Sequence, residues 1–239
     1  MNSGLRPREA ATIILVRPGG SGAFEVLLTR RPAAMKFLGG FYVFPGGTIR
    51  KEDYGSTALR HCRGLIPEQA QELLGSTLSP EFCLGHWIAC VRELFEEAGV
   101  LLCASPEDVR SAPNSPGFKD WLEAKHRALL HGSLSFEDFL QSENLLCDLS
   151  RIAYFSHWQT PSEFPSRFDT RFFLAALPEG QAALAVSPEV TETSWVTPDQ
   201  ALTLYGQDEL PIIFPTFATL RTLADFDSFE ILDREYRIR

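Results

Sequence analysis

Three absences narrow what this chain can be. Paired cysteines are missing: there are five, an odd number with no paired spacing, so no disulfide framework is read from them and a reducing compartment is expected. A basic excess is missing too. Lys and Arg total 22 against 31 Asp and Glu, a formal net charge of -9, which argues against a general nucleic-acid binder. An anionic substrate must then be attracted by a bound cation or by local Arg and Lys. Long apolar runs are also missing. The polar stretch Met1 to Glu9 leads directly into Ala10-Ala11-Thr12-Ile13-Ile14-Leu15-Val16, too short and too β-branched for a signal peptide or a membrane span. The final Arg237-Ile238-Arg239 is not a Ser-Lys-Leu type of peroxisomal address, which leaves the cytoplasm as the default location. No internal repeat or low-complexity tract is found. What is present is 239 residues, 44% of them hydrophobic, which suffices for one sizeable core and asks for no second: a single domain over 1–239.

Along the chain, 10–17 and 23–30 are β-branched runs joined by Pro18-Gly19-Gly20-Ser21-Gly22, the pattern of a hairpin. Residues 41–49 form a third extended piece ending in a Gly pair. A polar, Gly- and Ser-containing stretch then holds one short predicted helix, Pro67 to Leu74, with Pro at its first position and Gly75 beyond its end. Ser79-Pro80 supplies the cap and first residue of a longer helix running to about Ala98. A second excursion, at about 104–147, carries predicted helices over Phe118 to Leu130 and Phe136 to Gln141. Strand character returns at Arg151 to His157, Arg167 to Leu177 and Thr191 to Val196, and a helix at about Pro215 to Ala224 is expected to close the chain.

The chemistry concentrates in Arg92-Glu93-Leu94-Phe95-Glu96-Glu97-Ala98-Gly99-Val100. On a helix, Glu96 and Glu97 fall within roughly 60° of Glu93, while Trp87, Val91, Leu94 and Ala98 gather on the other side. Three like charges this close repel unless a cation lies among them, and hard cations such as Mg²⁺ or Mn²⁺ prefer carboxylate oxygens. Acidic triplets on helices are most often solvated faces. Here Phe44-Pro45-Gly46-Gly47 stands upstream, a Gly pair that lets backbone approach an ion or a phosphate.

Together these residues resemble the Nudix box, GX5EX7REUXEEXGU with U a bulky aliphatic residue. The second half matches from Arg92 to Val100. The first half matches at Gly47, with Asp53 in place of the Glu, and 38 residues rather than seven separate Asp53 from Arg92. The box thus carries an insertion of about 31 residues, at about 54–84, whose chain-entropy cost grows only logarithmically with length. This is similar to the long-insertion branch that includes the peroxisomal coenzyme A diphosphatases. Further support comes from Leu27-Leu28-Thr29-Arg30-Arg31, Gly40 and Phe44-Pro45-Gly46-Gly47, which resemble the coenzyme A diphosphatase signature LLTXR[SA]X3RX3GX3FPGG, with Pro32 and Lys36 as departures. Lys36 keeps the positive charge of the family's Arg without its planar fork.

The resemblance implies an α/β fold, a Nudix α/β/α sandwich with a mixed sheet, here with helical insertions at about 54–84 and 104–147. It also implies a hydrolase of phosphoric anhydride bonds. Glu93, Glu96, Glu97 and the Gly46 carbonyl are the expected metal ligands. Arg92 is expected to orient one of the carboxylates through a bidentate contact, and Asp53 stands either as an orienting partner or as a solvated loop residue. Outside the box, Glu189 and Glu192 are candidates for the base, with Glu189 preferred. Arg31, Lys36, Gly47 and Arg167 are the expected substrate-binding residues, although Asp169 could equally neutralise Arg167 and Arg171 on a shared strand face. Cys83, His86 and Cys90, at helical spacing, are read as core rather than as soft-metal ligands, and His157 and Trp158 as packing rather than pocket lining. The leading function is metal-dependent hydrolysis of coenzyme A or acyl-CoA. The alternatives are a nucleotide-sugar or dinucleotide pyrophosphatase, and a nucleotide-binding regulator without turnover. The expected partner is a small-molecule diphosphate, with no nucleic acid and no membrane, and a homodimer is left open.

Overall fold

The computed structural model describes residues 6–104, 117–184 and 187–239. The predicted hairpin is β1 (Arg8–Pro18) and β2 (Phe24–Arg30), antiparallel with Val16 opposite Val26. Two short strands follow, β3 (Tyr42–Val43) on β2 and β4 (Gly46–Thr48) on β1, so the Gly pair sits against Ala11 and Thr12. A 3-10 turn (Lys51–Tyr54), α1 (Ser56–Arg60), β5 (Cys62–Arg63) and α2 (Pro67–Leu74) fill the first insertion. Only α2 is legible in the sequence, and its end at Gly75 is a left-handed cap with φ 56°.

The central helix α3 (Pro80–Ala98) begins and ends where its punctuation requires. The Ser79 hydroxyl accepts from the Phe82 amide at 3.3 Å, and Gly99 leaves the helix with φ 65°. After β6 (Cys103–Ala104), the second insertion contributes α4 (Phe118–Leu130), α5 (Phe136–Ser142) and β7 (Leu146–Asp148). Residues 105–116 of that stretch lie outside the described residues. The chain continues through β8 (Ala153–Gln159), β9 (Phe168–Ala176), β10 (Glu192–Val196), α6 (Pro198–Gly206), α7 (Phe214–Leu223) and α8 (Phe229–Tyr236). Two expectations need correction. The strand expected from Arg151 begins at Ala153, because Leu149–Arg151 form a 3-10 turn capped by Asp148. The helix at Pro215 does not close the chain, since Ser228 caps the further helix α8.

The large sheet has seven strands in the order β10-β2-β1-β9-β8, with β3 and β4 attached at one end; β1 and β9 are parallel and the other pairs antiparallel. Alternation along β1 and β9 sorts the core into two layers. Ala11, Ile13, Leu15, Phe173 and Ala175 face α3. On the opposite side, Ile14, Val16, Phe172 and Leu174 pack with α6, α7 and α8 through Ala201, Leu220, Leu223 and Leu232. Helices therefore cover both faces of a mixed sheet, as expected. Trp87 fixes α3 to the sheet side, its ring 4.6 Å from Phe173 and its Nε1 donating to the Ile152 carbonyl at 2.9 Å. A second sheet, β5-β7-β6, joins the two insertions, with Cys62, Cys147 and Cys103 in register across it.

Candidate active site

Everything that positions the acidic cluster meets at one end of the large sheet. There β1 and β9 begin, β2 ends and β4 lies along β1. The last turns of α3 run beneath β4. Glu93 and Glu97 are buried, at 7% and 4% exposure, although a helix alone would present them to solvent. The Gly46 amide donates to Glu97 Oε2 at 3.3 Å. A Cβ at position 46 would fall on the Ala11 carbonyl and the Thr12 backbone, so the close approach of β4 to β1 demands glycine there, and one at position 47 would meet the Glu93 carboxylate.

Burial pushes both carboxyl groups above the usual range. For Glu97 the desolvation is reinforced by the charge of Glu93 and opposed by Arg31; for Glu93 it is opposed by Arg92 and reinforced by Glu96. Arg92 lies under them, almost wholly buried. Its Nε and Nη2 form a two-pronged contact with Asp53 at 2.7 and 2.8 Å, Nη1 donates to Glu93 at 2.6 Å and Glu96 at 3.2 Å, and Nη2 also reaches the Thr48 carbonyl at 3.1 Å. Burial opposes this charge, but the bond to Asp53 and the charges of Glu93, Asp53 and Glu96 outweigh it and hold the guanidinium protonated. The bidentate partner is thus Asp53 rather than a box glutamate. Asp53 is not a solvated loop residue: it is 2% exposed and also accepts from the Arg50 amide at 2.8 Å.

Arg50 had no signal in the sequence. It grips Glu96 with two bonds of 2.8 and 2.9 Å across 46 residues of sequence. His126 was also missed; its Nε2 lies 3.1 Å from the Glu96 carbonyl and ties α4 to the end of α3. Because Glu93 and Glu96 turn toward arginines, no three carboxylates converge as a ready cluster among the described residues. The donor set nevertheless suits a divalent cation. Two buried carboxylates that repel each other, under the Gly46–Gly47 pair, are of the type that hard cations select.

The remaining candidates divide. Glu189 comes to the site: with Arg50, Glu93, Glu96 and Glu97 it lines a cleft of about 250 Å³, and its carboxylate is 3.8 Å from Arg31. Arg31 is largely covered, and its Nε is buried without a hydrogen-bond partner among the described residues. Glu192 does not line this cleft; it accepts from Tyr42 Oη at 3.1 Å and pairs with Arg30. Lys36 is exposed on the loop between β2 and β3, where the neighbouring Phe37 ring lies tilted against Phe168 with centroids 5.1 Å apart. Arg167, beside Phe168, donates from Nε to the Thr160 carbonyl at 3.1 Å. Arg171 is buried and paired with Asp169 and Glu9, so neutralisation by Asp169 is found at Arg171. Cys83, His86 and Cys90 are core residues with no exposure, and Trp158 packs edge-on to Phe214.

A crystal structure of a NUDIX hydrolase from Alicyclobacillus acidocaldarius superposes on this chain with a TM-score of 0.78 and 26% identity over 98% of each chain. The model of the NUDT19 Nudix domain matches residues 7–223, and the chain belongs to that family. Curated relatives include the acyl-coenzyme A diphosphatase NUDT19 of Xenopus laevis, 27% identical over 85% of this chain, and that of Homo sapiens, 27% identical over 98% of it. The chain spans 60% of the frog protein's length and 74% of the human one's.

Proposed function

We propose that this protein is a divalent-cation-dependent pyrophosphohydrolase that cleaves the diphosphate of coenzyme A or of an acyl-CoA, within one Nudix domain elaborated by the two insertions. The observation that carries this reading is the buried Glu93–Glu97 pair beneath Gly46 and Gly47, with Glu189 on the wall of the same cleft. Relatives named acyl-coenzyme A diphosphatase supply the substrate class.

Glu93 and Glu97 would hold the cation, with the Gly46 carbonyl and, once released by Arg50, Glu96 beside them. Mg²⁺ or Mn²⁺ in such a site neutralises diphosphate charge and lowers the pKa of a coordinated water. Arg92 acts through others: fixed by Asp53 and Thr48, it positions Glu93 and Glu96. Arg31, Lys36 and Arg167 serve the phosphates of the substrate, and Glu189 is the residue assigned to take the proton of the attacking water. Five cysteines that are all free thiols suit a reducing compartment such as the cytoplasm.

The test is a panel of coenzyme A esters, dinucleotides and nucleotide sugars incubated with Mn²⁺, with products identified and binding measured alongside by calorimetry. Coenzyme A compounds should be split into two phosphomonoesters. Tight binding across the panel without turnover would overturn the enzyme reading in favour of a regulator, and cleavage confined to dinucleotides or sugars would overturn the substrate.

Lys36 offers a finer test, because coenzyme A has a 3′-phosphate that dephospho-coenzyme A lacks. Lys36→Ala should raise KM for coenzyme A by roughly two- to fivefold, the scale of a solvent-screened ion pair, and leave dephospho-coenzyme A nearly unchanged. Lys36→Arg should restore the wild-type value. Equal losses on both substrates would assign Lys36 to the shared diphosphate instead.

A further inference from the structure

Beside the catalytic cleft lies a second, larger cavity of about 400 Å³, within the range of small-molecule sites. It shares Arg50, Glu96 and Leu129 with the cleft, so the two adjoin at the Arg50–Glu96 pair. Its remaining apolar lining comes from Ala58 on α1, Ile88 on α3, Leu134 in the turn after α4, and Phe136 and Leu140 on α5. Apart from the α3 residues and those of the turn at 50–53, the walls belong to the two insertions. These are held together over the cavity, since Gln141 Nε2 donates to Thr57 Oγ1 at 3.3 Å and His126 pins α4 to Glu96.

Charge decides what such a chamber admits. Its lining includes Arg50 and Arg92 against Glu52, Asp53, Glu96 and Glu137, and both arginines are already engaged by carboxylates. Ala58, Ile88, Phe136 and Leu140 are buried together with the mutually neutralised Arg92 and Asp53, whereas Glu52 is exposed and Glu137 half-buried, so the depth holds apolar side chains and a compensated pair while the opening is acidic. A phosphate is repelled there. Of the two arms that leave the diphosphate of an acyl-CoA, the nucleotide arm carries a further phosphate, while the pantetheine arm is neutral and ends in an acyl chain.

We propose that this chamber is the acyl-pantetheine subsite: the neutral pantetheine arm runs from the scissile diphosphate into the space between the insertions and delivers the aliphatic chain to their apolar side chains, and the acidic opening disfavours chains ending in a carboxylate. The proposal rests on the coenzyme A reading above for its occupant. Each methylene buried in an apolar site strengthens binding by up to about fourfold, so KM should fall from acetyl- to butanoyl- to octanoyl-CoA by roughly two- to fourfold per added carbon until the cavity is full. Leu134→Trp, which fills the cavity, should cut the preference for octanoyl-CoA over coenzyme A by about tenfold or more; Leu134→Gln should do the same without added bulk. Glu137→Lys should improve the acceptance of an ω-carboxyacyl-CoA relative to its uncharged homologue by about fivefold.

A measurement without turnover separates the two readings. Octanoyl-pantetheine, which has no phosphate, is titrated in excess EDTA into wild-type, Leu134→Trp and Leu134→Gln proteins of matched melting temperature. Binding to the wild type that both variants weaken supports the subsite, even if no coenzyme A ester is hydrolysed and the catalytic reading fails. If coenzyme A esters are hydrolysed with no dependence on chain length and octanoyl-pantetheine does not bind, the subsite is overturned while the hydrolase stands.

Discussion

Glu97→Gln should lower kcat by about a hundredfold or more while the protein stays folded. The expectation follows from where this carboxylate lies. It is buried, it faces Glu93, and burial followed by that neighbouring charge pushes its pKa well up, so an uncompensated negative charge is costly there. A neutral amide of the same shape removes the repulsion and retains an oxygen for the Gly46 amide, which currently donates at 3.3 Å. The fold should therefore tolerate the change even though a carboxylate ligand is lost. Two measurements check it together. Steady-state hydrolysis with Mn²⁺ should collapse, and the rise in Tm that saturating Mn²⁺ gives the wild type by mass action should shrink in the variant. Glu93→Gln and Glu96→Gln should also be impaired, and excess EDTA should silence the wild type. Full activity in purified Glu97→Gln would remove Glu97 from the cation site, and hydrolysis unchanged by EDTA would remove the cation from the reaction.

The largest effect on stability is expected at Arg92. Replacing it by Met leaves Asp53, 2% exposed, without the guanidinium that binds both of its oxygens, and frees the Thr48 carbonyl and Glu93 as well. Breaking one side of a buried ion pair costs about 3–5 kcal/mol, roughly 6–20 °C in Tm for a domain of this size. The diagnostic variant is Arg92→Met combined with Asp53→Leu. With both charges gone, much of the lost stability should return, because burying a matched pair yields little net stabilisation over an apolar replacement. Catalysis should not return with it, since Glu93 would still lack the guanidinium that positions it. If Arg92→Met alone melts like the wild type, the buried pair is not a structural element.

Whether a feature was legible in the sequence depended on how local its cause was. Helix α3 was readable to the residue because Ser79, Pro80 and Gly99 act on their own backbone within one turn, and α2 was readable for the same reason through Pro67 and Gly75. Helix α6 carried equally local signals, Thr197 and Gln200 in a capping box with Pro198 between them, and these went unread. The small sheet carried none. Its strands are two or three residues long and acquire their pairing only when segments around Cys62, Cys103 and Cys147 meet. Asp53 was ambiguous because an aspartate in a polar loop is ordinarily solvated; only the arrival of Arg92, 39 residues later, makes it a buried anion.

The sequence by itself determined the chemistry available: three carboxylates on one side of a helix, a Gly pair able to approach them, and an acidic chain that needs local cations to hold a diphosphate. Helical periodicity and glycine sterics operate over a few residues, so composition and spacing suffice for that. The tertiary structure decided which charges are compensated and by what. Glu97 is paired with a backbone amide, Glu96 with Arg50 and Arg92 with Asp53, while Glu189 lies across the cleft and Glu192 outside it. Coulomb energies and desolvation depend on distance and burial, and both are set by residues far apart in the chain.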